Sequence, residues 1–163
     1  MSIPLKDNKF SDSVEKSKKL SRHRKRISIC EAIYSNLVLN QFQNTLTSNS
    51  TKHLESGFEK RIYKKYIEQK EIYLSEISQL LKSGWNVDRL NLCILAILLA
   101  IFTEYEVFKT APAVLIDQAV ELAKKYGEDD YKLVHALINN YLKKFNSQSN
   151  SQQNNLGVTD PNN

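Results

Sequence analysis

The sequence predicts an all-α protein, on three observations. Four Gly and three Pro in 163 residues give too few turns for a many-stranded β fold and suit helices joined by short loops. Apolar residues recur at helical spacing in several separate stretches. Residues 92–102 form an unbroken run of eleven apolar residues, which a core helix packed on all sides explains.

Taken in order, Ile27, Cys30, Ile33, Tyr34, Leu37 and Val38 make one apolar stripe, with Arg24, Ser28, Glu31 and Ser35 on the opposite face. Ser21 stands where an N-cap belongs. Residues 44–52 are Ser/Thr/Asn-rich and read as a loop. Leu54, Phe58, Ile62, Tyr66, Tyr73, Ile77 and Leu80 resume the helical spacing, and the polar stretch at 68–71 predicts two helices or one kinked one. Gly84 supplies a stop, and Trp85 is expected to pack as a lid between the halves of the molecule. The run at 92–102 is too short for a membrane span, which needs about 20 residues, and Asn91, Thr103 and Glu104 bound it. Pro112 opens the next helix at an allowed first-turn position, Val114, Leu115, Val120, Leu122 and Ala123 form its apolar side, and Gly127 ends it. A last helix over residues 129–144 carries Leu133, Val134, Leu137, Ile138 and Tyr141.

One domain over residues 21–145 follows, large enough for a single core without disulfides or metal. Residues 1–20 read as a flexible basic arm, and residues 146–163, Asn/Gln/Ser-rich with the single acid Asp160, as a disordered polar tail. Cys30 and Cys93 lie within apolar helical patterns, and the N-terminus lacks the apolar stretch of a secretory signal. Two buried thiols in a reducing cytoplasm are therefore expected. A disulfide stays open, because spacing does not show whether the two meet.

Charge is localised. Residues 16–26 hold seven Lys or Arg (Lys16, Lys18, Lys19, Arg22, Arg24, Lys25, Arg26) and no acid, so in a chain of net charge +5 everything else nets −2. Such a segment attracts polyanions through counterion release, and nucleic acid is the first expectation. A solvated tail or helix end without a ligand is the alternative. The adjoining apolar stripe weighs against it, because it anchors the helix and presents Arg24 and its neighbours at an N-terminus whose N–H groups also favour phosphate.

Catalysis finds no support. His23, His53 and His135 are scattered, and no His-Glu-x-x-His, Cys-x-x-Cys or Gly-rich phosphate loop occurs. No cofactor is expected, and Glu128 with Asp129 at a helix start reads as capping.

Several of these features occur together in a known pattern. An arginine-rich segment runs into the triplet Ala32, Ile33 and Tyr34; Trp85, Arg89 and Leu90 precede the long apolar helix; and a Pro is followed by IDQAVELAK at residues 116–124, closed by Tyr126 and Gly127. Across residues 21–143 the chain resembles the NusB family of bacterial transcription antitermination factors. The resemblance implies an all-α bundle of about six to seven helices in two packed halves. It also implies binding of single-stranded boxA-type RNA in nascent transcripts, notably ribosomal RNA. The implied partners are the ribosomal protein NusE, other Nus factors and RNA polymerase.

Residue by residue, Arg22, Arg24 and Arg26 match the family's RNA-contacting arginines and Tyr34 its tyrosine, while His23 and Lys25 stand where Arg and Ala are common. Ile27 replaces a usual Glu and Glu31 a usual Gln. The Lys-Phe-Val-Asn-Gly motif, part of the RNA surface, appears as Lys132, Leu133, Val134, His135 and Ala136, so the expected RNA set is Arg22, His23, Arg24, Lys25, Arg26, Tyr34, Lys132 and Leu133. Leu133 cannot stack on a base as an aromatic does. The NusE surface is expected at Asp88, Arg89 and Ile94. Ile94 replaces a usual acid, and Leu95 and Leu99 usual arginines, so the interface is expected to be more apolar and able to support self-association. A protein-interaction module that keeps the partner and has lost sequence-specific RNA reading is the alternative function.

Overall fold

The computed structural model describes residues 20–42, 54, 56–126 and 128–153. Most of the basic arm, the loop at 44–52, His53, Gly127 and residues 154–163 lie outside the described residues.

Among the described residues there are five α-helices: α1 (Arg22–Phe42), α2 (Gly57–Leu80), α3 (Leu92–Phe108), α4 (Pro112–Tyr126) and α5 (Tyr131–Gln153). Short 3₁₀ turns at Val87–Arg89 and Glu128–Asp130 join them. The class is all-α as expected, with fewer helices than the six to seven anticipated. Part of the difference lies in α2, a single helix of 24 residues where the polar stretch allows for two. Its inward stripe, Ile62, Tyr66, Tyr73 and Ile77, keeps its register through that stretch. Lys70 stands among those polar residues half-buried, and desolvation lowers its pKa.

α3 is the shared centre. The pair α1 and α2 and the pair α4 and α5 each pack together and against α3, with a further contact between α2 and α5. Every residue of α3 from Ile94 to Glu104 is buried. Phe102 stacks face to face on Tyr141 of α5, ring centroids 3.6 Å apart. Ile94, Leu95 and Leu99 belong to this core, each at most 5% exposed, which overturns the expectation of an apolar partner surface built from them. A helix wrapped on all sides has no face left to offer.

The ends of the helices follow local chemistry. Ser56 caps α2, its hydroxyl accepting from the Glu59 N–H and donating to the Glu59 carboxylate. Asn91 caps α3 by accepting from the Cys93 N–H at 2.8 Å. After α2, the Trp85 N–H bonds the Lys82 carbonyl at 3.0 Å across a turn whose Gly84 has φ +89°, a conformation that L side chains rarely adopt. That turn throws Trp85 outward, 56% exposed, so it is not the expected lid. α5 continues to Gln153, past the end expected near Lys144.

Candidate nucleic-acid interface

The site is built at the start of α1. Ser21 caps it as expected: its hydroxyl accepts from the Arg24 N–H at 3.3 Å and its carbonyl from the Lys25 N–H at 3.0 Å. The five basic side chains that follow then divide by helical geometry.

Arg24 points to solvent. Arg22 is also exposed, its guanidinium lying 3.9 Å over the Phe58 ring of α2. His23 is half-buried; its Nδ1 donates to Gln118 Oε1 of α4 at 2.8 Å, and Nε2 lies 3.8 Å from Glu121. Lys25 is buried at 9% exposure. Arg26 turns fully inward and grips Glu104 of α3 with two bonds, Nε to Oε2 at 2.9 Å and Nη2 to Oε1 at 2.8 Å. Thr110 donates to the same carboxylate at 2.9 Å, and Arg26 Nη1 reaches Gln118 Oε1 at 3.4 Å.

Arg26 and Lys25 therefore do not stand on the exposed face on which an RNA contact was expected. The reason is the helix period: with Arg24 outward, residues 25 and 26 rotate away from that face, Arg26 toward α3 and α4. The network, buried at Arg26 and Glu104 and half-buried at Thr110, Gln118 and His23, joins α1, α3, α4 and the turn between the last two, and so fixes the direction in which Arg22 and Arg24 point.

Tyr34, placed on the apolar stripe by its spacing, is 40% exposed. It lines a groove of about 240 Å³ between α1, α3 and α4, together with Glu31, Cys30, Cys93 and the exposed Tyr126. Both cysteines are free. Burial, then the charges of Glu104 and Glu31, push the Cys30 thiol up to about 12, which suits a packing group and not a nucleophile. On α5, Lys132 is exposed and Leu133 half-buried against the core, with His135 and Ala136 exposed. Asp88 and Arg89 are exposed beside Trp85. Among the described residues no group of His, Cys, Asp and Glu is arranged to hold a metal ion, and no helix is long and apolar enough to cross a membrane.

Sequence reasoning missed the residues around the arginines: Glu104 and Gln118 on Arg26, Thr110 on Glu104, and Phe58 under Arg22. A signal existed for Glu104, since a carboxylate continuing an eleven-residue apolar run needs a buried cation, and Arg26 is a candidate for that role.

Fold and site define a small all-helical protein that displays a cationic helix start on a rigid polar platform. The NusB family model matches residues 13–143, and the chain belongs to that family. It is 37% identical over 68 residues to the transcription antitermination protein NusB of Ligilactobacillus salivarius, covering 41% of this chain and 52% of that protein. With the protein of the same name in Treponema denticola it shares 37% identity over 70 residues, 40% of this chain and 52% of the other. The chain thus spans about half the length of the curated relatives it matches. Its fold is similar to that of T. maritima NusB, at a TM-score of 0.61 and 21% identity over 77% of this chain and 92% of that one. A chain in the crystal structure of a plectonemic RNA supercoil is similar at 0.56 and 20% identity, over 77% and 97%.

Proposed function

We propose that this protein is a transcription antitermination factor that binds boxA-type RNA of nascent transcripts, notably ribosomal RNA, together with the ribosomal protein NusE. The observation that carries the proposal is the division of the basic helix start. Arg26 and His23 anchor it, and Arg22 and Arg24 are left facing solvent at a helix N-terminus, where guanidinium groups and backbone N–H groups meet phosphate together. Family membership and the names of the relatives support the same reading. The exposed turn of Asp88 and Arg89, with Trp85 beside it, is the proposed NusE surface. Other Nus factors and RNA polymerase are the further proposed partners, in the cytoplasm.

A second reading has its own observation. Leu133, where the family aromatic would stand, packs partly against the core. A protein that kept the NusE surface and lost base reading would look the same there. Titrating a boxA-type RNA and a scrambled RNA of equal length, each with and without NusE, separates the two. Preference for boxA-type RNA, tightened by NusE, supports the first. Equal affinity for both RNAs with intact NusE binding supports the second, and no binding to either partner overturns both.

A further inference from the structure

The cationic surface does not stop at α1. The Arg22 guanidinium lies 3.9 Å over Phe58, Phe58 stacks on Phe108 of α3 with centroids 4.9 Å apart, and the Arg61 guanidinium of α2 lies 4.7 Å over Phe108. Two arginines from different helices thus cover one aromatic pair. Among the described residues neither is paired with a carboxylate. Stacking holds a guanidinium by its face and leaves its N–H edge for an anion, and it settles the side-chain conformation before the anion arrives. Along α2, Lys60 and Lys64 are exposed too, Lys64 lying one turn on from both Lys60 and Arg61. The acid nearest in sequence, Glu59, is buried and bonded to Ser56, while Glu106 is engaged by Lys65 at 3.5 Å and by the Tyr73 hydroxyl. Glu68, one turn beyond Lys64, is the exposed acid at the far end.

We infer that Arg22, Arg61, Lys60 and Lys64 form a second phosphate-binding strip, which carries the backbone of a single-stranded RNA from the start of α1 across α2. The inference rests on the reading of α1 as RNA-binding. A strand suits the strip better than a compact anion does, because the cations come from two helices, Arg22 and Arg61 over different rings of the aromatic pair and Lys60 and Lys64 one turn apart along α2. Base identity is not read there, since the strip offers charge and edges for phosphate only.

The test uses two single-stranded RNAs, of about 6 and about 15 nucleotides, titrated by fluorescence anisotropy at several salt concentrations against the full chain and three variants. Arg61→Gln with Lys64→Gln should make the salt dependence of the longer RNA shallower by about 1.4 in log–log slope, two phosphates at about 0.7 each, and leave the shorter RNA unchanged. Arg24→Gln should weaken both. If Arg24→Gln weakens binding while the double variant binds the longer RNA with an unchanged slope, the strip is overturned and the α1 reading stands. Undiminished binding by every variant overturns both. Should removal of the Arg61 stack lower the melting temperature, Lys60→Gln with Lys64→Gln, which leaves the aromatic pair intact, decides by the same slope. Equal competition by an oligoglutamate peptide would mean that the strip takes acidic protein, and would also overturn the inference.

Discussion

Arg26 and Glu104 meet as a two-pronged ion pair inside the α1–α3 contact, with side-chain exposures of 9% and 2%. Removing one partner leaves an uncompensated buried charge, whereas replacing both by apolar residues need not destabilise. Glu104→Ala should therefore cost about 3–5 kcal/mol in urea unfolding, and Arg26→Met with Glu104→Leu should return close to the original stability. An unfolding midpoint for Glu104→Ala equal to that of the parent would show that the pair does not hold α1.

Arg24 gives the opposite signature. It is exposed, and among the described residues its side chain has no buried partner, so Arg24→Ala should change stability by less than about 0.5 kcal/mol. RNA affinity should fall, with a log–log salt slope shallower by about 0.7, because one phosphate fewer is neutralised. Arg26→Ala should instead lower the melting temperature before any RNA is added. Equal stability of the two variants would contradict the division of labour at the start of α1.

That division explains how much of the site was legible in the sequence. The apolar period of α1 and the cap at Ser21 placed the basic cluster on a helix start, because both are local patterns. Which cations face solvent depends on residues far along the chain: Arg26 finds Glu104 78 residues away, and Arg22 finds Phe58. Spacing within α1 carries no record of those partners. The same limit applies to Ile94. A comparison by position places it at a partner surface, whereas the apolar run of which it is part predicts burial, and the run prevails because α1, α2, α4 and α5 all pack on it.

Ile94 therefore supplies a further test. If Ile94→Glu restored an exposed family acid, stability would be unaffected and NusE binding would improve. At 0% exposure, the carboxylate would enter the core without a partner. The expected outcome is a destabilisation of several kcal/mol, or failure to fold, seen by circular dichroism.

Alkaline pH should destabilise the protein through its buried phenols. Burial raises the pKa of Tyr66, Tyr73 and Tyr141 above the ordinary value of 10.0, with the Glu106 hydrogen bond adding to the effect at Tyr73. These groups keep their protons in the folded chain after the unfolded chain has released them, so their stabilising effect is complete below about pH 10 and is lost as pH rises above it. Each group then removes up to about 1.4 kcal/mol of stability per pH unit until its folded value is reached. Urea midpoints measured from pH 8 to 11 should fall steeply above 10, and a flat profile there would argue against buried phenols.

The last test asks whether α5 reads bases. Leu133 sits in the first turn of α5, half-buried, directly after the exposed Lys132. Leu133→Phe keeps an apolar group against the core and adds a ring at a position from which part of the side chain reaches solvent. Stacking contributes about 1–3 kcal/mol per base by alanine substitution, so the variant should bind a boxA-type RNA more tightly than the parent and gain less on a scrambled RNA. Arg22→Ala with Arg24→Ala should weaken both RNAs about equally, because arginines at a helix start position phosphates and do not read bases. The contrast matters more than either affinity alone: an equal gain for both RNAs, or a gain for neither, would leave Leu133 as a packing residue and favour the protein-interaction alternative over specific reading.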